Sequence, residues 1–222
     1  MRDVLIEQQN ARPSWAPTKY LIDCHCHVGA GPTVAVLAED IHSPRDWGAA
    51  RSKTYNRPWS ITADVVIPKG GAEGVLLAQG GNTGGYTFFV KDQRLHFLYN
   101  WLGHDKFWLH SNEAVPEGEV ELRYEFEPTG KPDIAHGKGV PARGQLYINR
   151  KLVASIDMPF SILNMWGTEG LTCGYDGGDQ VAPDAYAGGF AFTGRIARVT
   201  LDLSGELIPD SEADMKIAMM RQ

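Results

Sequence analysis

The chain has 222 residues, a net charge of −6, and 43% hydrophobic and 22% charged residues, ordinary proportions for a globular protein with one substantial core. The acidic balance, with no Lys/Arg run, argues against a nucleic-acid-binding surface. No apolar run approaches the ~20 residues that a membrane-spanning helix needs.

The 25 glycines and 13 prolines point to many turns, and so towards β structure. Met1 to Tyr20 carries charges and two prolines and has no apolar segment, which does not fit a secretory signal. Three cysteines, two of them flanking His25, do not look like a disulfide framework. These features predict a cytoplasmic location.

Met1 to Gln9 has a weak helical pattern, and Asn10 to Pro17 reads as a Pro-broken connector. Tyr20-Leu21-Ile22 is an apolar lead-in to Asp23-Cys24-His25-Cys26-His27. In an extended strand alternate side chains share a face, so His25 and His27 point one way and Cys24 and Cys26 the other. Two imidazoles on one face can share an ion, and zinc accepts both His nitrogen and Cys sulfur. Residues from Thr33 to Glu39 fit a short strand or one helical turn, and Ile41 to Arg57 reads as irregular.

From Trp59 the pattern becomes that of strands. Ser60 to Ile67 alternates, with Ile61, Ala63, Val65 and Ile67 on one face. Gly74 to Gln79 is a compact buried strand, followed by a glycine loop from Gly80 to Gly85. Tyr86 to Lys91 and Arg94 to Asn100 form a hairpin about Asp92-Gln93, and Lys106 to His110 follows. Glu119 to Glu127 gives the cleanest alternation, with Val120, Leu122, Tyr124 and Phe126 inward and charges outward. A second hairpin turns at Asn149-Arg150, and Phe190 to Leu203 supplies one or two closing strands. Ser211 is placed to cap a short C-terminal helix. So many short strands predict an all-β sandwich or barrel.

From about Asn56 onward the chain resembles the accessory C-terminal domain of bacterial arylsulfatases. The resemblance is carried by Asn56 to Val65, Gly70 to Gly81, Phe89 to Asp92, Gly144 to Asn149, and Phe192 to Ile196 leading into Val199 to Asp202. It implies an antiparallel jelly-roll β-sandwich of the concanavalin A/laminin-G-like kind over residues 56–222, with residues 1–55 as an N-terminal extension. It implies no sulfatase chemistry, because no Cys/Ser-x-Pro-x-Arg motif is present. Ile22 to His27 is similar to the first-strand His-x-His metal motif of amidohydrolases.

These readings lead to an expectation of a zinc-dependent hydrolase of ester or phosphoester substrates, with Asp23, His25 and His27 at its centre. Zinc with an open position lowers the pKa of bound water to about 7. Further ligands are sought at Cys24, Cys26, His104 and His110, and among His42, His96 and His136; His96, within a strand, reads rather as filler. If Cys24 and Cys26 also bind, the site is a closed structural clip. Asp176, Asp179 and Asp184 lie in a glycine-rich stretch whose carboxylates suit calcium. Tyr86, Phe88, Phe97, Tyr99, Trp101, Phe107 and Trp108 are either core or a sugar-binding face. The alternative function is a non-catalytic glycan-binding or assembly module.

Overall fold

Strands with one apolar face are stable only when that face is covered, and here two sheets cover each other. The computed structural model describes residues 19–22, 33–34, 54–163 and 171–203. Its strands are β1 (Lys19–Ile22), β2 (Thr33–Val34), β3 (Trp59–Ile67), β4 (Gly74–Gly81), β5 (Gly84–Lys91) and β6 (Arg94–Trp101). They continue with β7 (Asp105–Ala114), β8 (Gly118–Pro128), β9 (Ala142–Ile148), β10 (Lys151–Met158), β11 (Leu171–Cys173) and β12 (Arg195–Asp202). One sheet has the order β1-β12-β3-β8-β9-β10 and the other β2-β11-β4-β5-β6-β7. All the pairings within both sheets are antiparallel. This is an antiparallel jelly-roll β-sandwich, as the sequence predicts.

The core lies between the sheets. Ile61, Ala63 and Val65 of β3 and Leu122, Tyr124 and Phe126 of β8 face Tyr86, Phe88 and Val90 of β5 and Leu95, Phe97 and Tyr99 of β6. Trp59 sits among Tyr86, Tyr124, Phe126 and Phe97, with ring centroids at 5.0, 5.2, 5.5 and 6.2 Å. The open edges β7 and β10 are tied to one another by the Lys151–Glu113 ion pair.

Both hairpin turns fall where the sequence places them. Asp92 and Gln93 have φ of 49° and 57°, and Asn149 and Arg150 have 48° and 67°. Two successive left-handed residues match the right-handed twist of the strands they join. The glycine loop differs from expectation. β4 and β5 run on through Gly80, Gly81, Gly84 and Gly85, leaving Asn82-Thr83 as the turn. The reason is packing: a Cβ on Gly81 would lie 2.8 Å from the Asp179 carboxylate, so this end of the sheet is bare backbone beneath another segment.

That segment follows β11, itself a strand the sequence reading misses. Residues 174–190 cross the outer face of the second sheet and bury Val181, Ala182 and Tyr186 against Val75, Ala78, Phe89 and Leu98. A second, smaller core results. Phe190 to Leu203 contributes one strand, β12. The predicted C-terminal helix and the pattern in Met1 to Gln9 lie outside the described residues.

Candidate functional site

Asp23, Cys24, His25, Cys26 and His27 lie outside the described residues, as does His42. Their proposed partners on the sandwich are described, and of these His96 and His110 lie side by side while His104 and His136 stand apart. His104 is exposed in the turn between β6 and β7, where its backbone N–H donates to the Trp101 carbonyl at 3.0 Å. His110 lies in β7, directly across from His96 of β6. His136 is exposed, with Nδ1 2.8 Å from an Asp133 carboxylate oxygen. Among the described residues no three His, Cys, Asp or Glu side chains converge as metal ligands.

The three calcium candidates go three separate ways. Asp176 is 1% exposed, and its Oδ2 accepts from the Tyr186 hydroxyl at 2.6 Å and from the Val181 N–H at 2.8 Å. Burial, and then the Asp176 charge, push the Tyr186 phenol far above its usual range, so it stays a donor. Asp179 accepts from the Asn82 N–H at 2.9 Å, which holds residues 174–190 on the β4–β5 turn. Asp184 pairs with Lys106 at the surface. These carboxylates pin one segment to one sheet and do not share a centre.

Cys173 is fully buried and disulfide-bonded, a bridge that the reading of the three cysteines as no disulfide framework does not anticipate. The chain's other two, Cys24 and Cys26, lie outside the described residues.

Most of the predicted sugar-face aromatics are core. Tyr86, Phe88, Phe97 and Tyr99 are buried between the sheets. Trp101 and Phe107 pack around Phe160 at 5.0 and 5.4 Å. Trp108 alone turns to the other face, half-buried against the smaller core.

The polar sites are on the outer faces. Across the first sheet, register aligns Asp202, Ser60, Glu125 and Gln145 in one row, and Thr200, Thr62, Arg123 and Tyr147 in the next. Arg123 Nε donates to Glu125 Oε1 at 2.8 Å, and another guanidinium nitrogen donates to Thr62 Oγ1 at 2.8 Å. Tyr147 donates to the other Glu125 oxygen at 3.1 Å. Burial, and then the Glu125 charge, raise the Tyr147 phenol, which keeps it protonated as that donor. Beside these rows is a groove of about 390 Å³ lined by Pro58, Trp59, Ser60, Arg123, Glu125, Phe126, Glu127 and Asp202. A second, of about 350 Å³, lies further along the strands and includes Asp64, Glu119, Glu121 and Arg195.

On the second sheet, His96 stacks on Phe89, centroids 4.9 Å apart and planes 9° from parallel. Its Nε2 lies 3.1 Å from the Lys91 carbonyl. Burial lowers its pKa below the usual imidazole value; His110 and Lys91 act the same way, and the Lys91 carbonyl bond and Asp92 oppose. In the unfolded chain His96 takes up its proton near pH 6.5, and in the folded one only at lower pH. The unfolded state therefore binds more protons in that window, and stability is expected to fall as pH drops below about 6.5. Thermal unfolding at pH 7.5 and 5.5 should show a larger loss in the wild type than in His96→Gln. Equal losses would place the sensitivity elsewhere.

No protein-family model matches the chain, and no curated protein matches it. Solved structures similar to it include the Ruminococcus gnavus IT-sialidase CBM40 bound to α2,3-sialyllactose. That match has 15% identity and a TM-score of 0.45, over 73% of this chain and 82% of that one. The LG4-5 domains of the mouse laminin α1 chain match at 12% identity and TM-score 0.44, over 71% of this chain and 38% of that one. The heptameric SAP-like pentraxin of Limulus polyphemus matches at 9% and 0.41, over 84% and 74%. Nothing among these links the chain to arylsulfatases or to an amidohydrolase motif. The two antiparallel sheets themselves make the all-β jelly-roll sandwich that the sequence predicts.

Proposed function

We propose that the chain is a non-catalytic binding module for neutral, hydroxyl-rich glycans, engaged through the groove on the outer face of the first sheet. One observation carries this reading: the Thr62–Arg123–Glu125–Tyr147 array holds polar side chains in fixed positions along that groove. Recognition of hydroxyl groups needs donors and acceptors whose geometry is set before the ligand arrives. Glu125 already accepts from Arg123 and from Tyr147, which suits a fixed acceptor better than a mobile proton donor. In the groove the Arg123 guanidinium is already paired with the Glu125 carboxylate, which favours neutral over acidic sugars.

The same reading takes in the sequence resemblance to arylsulfatase accessory domains, whose matching runs include β3, the strand that carries Ser60 and Thr62. The hydrolase expectation keeps its only support in residues 23–27. A disulfide at Cys173 suits an oxidising compartment better than the cytoplasm.

Calorimetric titration with neutral and with sialylated oligosaccharides tests the proposal. Neutral ligands should bind, and Arg123→Ala should weaken them by about tenfold or more, since a hydrogen bond from a charged group contributes ~1.5–3 kcal/mol. Binding indifferent to Arg123→Ala, or confined to sialylated ligands, would remove the groove from the function.

A further inference from the structure

We propose that His96 and His110 form a two-histidine site for a divalent transition-metal ion on the outer face of the second sheet. It is independent of the glycan groove, which lies on the other sheet, and it uses none of residues 23–27. The two residues are direct antiparallel partners in the β6–β7 ladder, so their Cβ atoms leave the same face side by side. Their ring centroids are 6.2 Å apart, with planes 34° from parallel. Metal–nitrogen bonds of about 2.0–2.1 Å place two rings sharing an ion with centroids roughly 5–6 Å apart. A small side-chain rotation closes that difference, and His110, which is exposed, is free to make it.

The chemistry of His96 is set by what its other nitrogen does. The Lys91 carbonyl can only accept, so Nε2 carries the proton and the neutral ring presents Nδ1 as a lone-pair donor. A ligating histidine typically donates its second N–H to a carbonyl or carboxylate in this way, which fixes tautomer and orientation. Stacking on Phe89 holds the plane of the ring. The nearby cations are already engaged: Lys91 donates to the Ala185 carbonyl, and Arg94 donates to the Ser111 carbonyl at 2.7 Å. Two imidazoles and open positions suit copper(II), nickel(II) or zinc better than calcium or magnesium, which prefer oxygen.

Trp108 lies two residues before His110 on the same face of β7, close enough to report an arriving ion. The test titrates untagged full-length protein with nickel(II) and copper(II), following tryptophan fluorescence and, for copper, the nitrogen couplings in its electron paramagnetic resonance spectrum. Saturable quenching and coupling to two imidazoles are expected. Either His110→Ala or His96→Gln should weaken binding by at least about tenfold, because loss of an outer-shell partner alone costs ~10–100-fold. His110 is exposed, so its variant keeps the test decisive if His96→Gln does not fold. A His25→Ala, His27→Ala double variant should leave the affinity unchanged. Retention in His110→Ala, or loss in the N-terminal double variant, would overturn the assignment.

Discussion

Replacing Asp176 by alanine is expected to cost about 3–4 kcal/mol of stability and to release residues 174–190 from the sheet. Its carboxylate accepts from a tyrosine hydroxyl and a backbone N–H with almost no access to water. Hydrogen bonds to a charged acceptor contribute ~1.5–3 kcal/mol each, and the two share one carboxylate, so they do not simply add. Alanine also leaves the Val181 N–H and the Tyr186 hydroxyl buried without their acceptor. Tyr186 is further linked to the Thr87 hydroxyl at 2.8 Å, so the loss reaches β5 itself. Asparagine keeps one acceptor oxygen and should fall between wild type and alanine. Urea unfolding gives the magnitudes, and hydrogen exchange at the Val181 amide gives the location: protected in the wild type, exposed in the variant. Unchanged protection at Val181 would contradict this account. If calcium raised the wild-type midpoint and Asp176→Ala abolished that response, the carboxylate would be a ligand and not a clamp.

The roles of Asp176 and of the His96–His110 pair were hidden in the sequence for different reasons. A stretch of glycines and aspartates has the composition of a solvated turn or a cation loop, and burial of one aspartate depends on which sheet the stretch crosses. Where residues 174–190 cover the second sheet, β4 is buried on both faces, so its sequence reads as a continuous run with no outer side to identify. By contrast, β8 keeps a wet face, and its alternation showed both the inward aromatics and the outward charges. The turns at Asp92-Gln93 and Asn149-Arg150 were legible because two-residue connections fix register. The β6–β7 turn is longer, with Leu102 at a φ of 55° and Gly103 at 75°, so the pairing of His96 with His110 did not follow from spacing. His96 accordingly read as filler. The groove residues Arg123 and Glu125 were visible as outward charges, but Thr62 and Tyr147 join them only through the lateral order of β3, β8 and β9.

Trp59→Ala should be the most damaging single truncation in the sandwich core, at about 3–5 kcal/mol. A domain of this size is stable by only ~5–15 kcal/mol, so the variant stands near the limit of folding. The indole is 3% exposed and meets four other aromatic rings drawn from both sheets, so its removal opens a cavity between the sheets. Phenylalanine at the same position separates packing from polarity. Among the described residues the buried Trp59 Nε1–H has no hydrogen-bond partner, an arrangement that costs ~1–3 kcal/mol in its own right. Trp59→Phe gives up part of the ring volume but also removes that unpaired donor, and the two effects oppose. Its net loss should therefore be under half that of alanine, about 1–2 kcal/mol. Urea unfolding of the two variants, followed by far-ultraviolet circular dichroism so that the missing indole does not confuse the signal, gives the comparison. Losses of equal size for phenylalanine and alanine would mean that the indole N–H is satisfied in solution, with a buried water as the plain candidate.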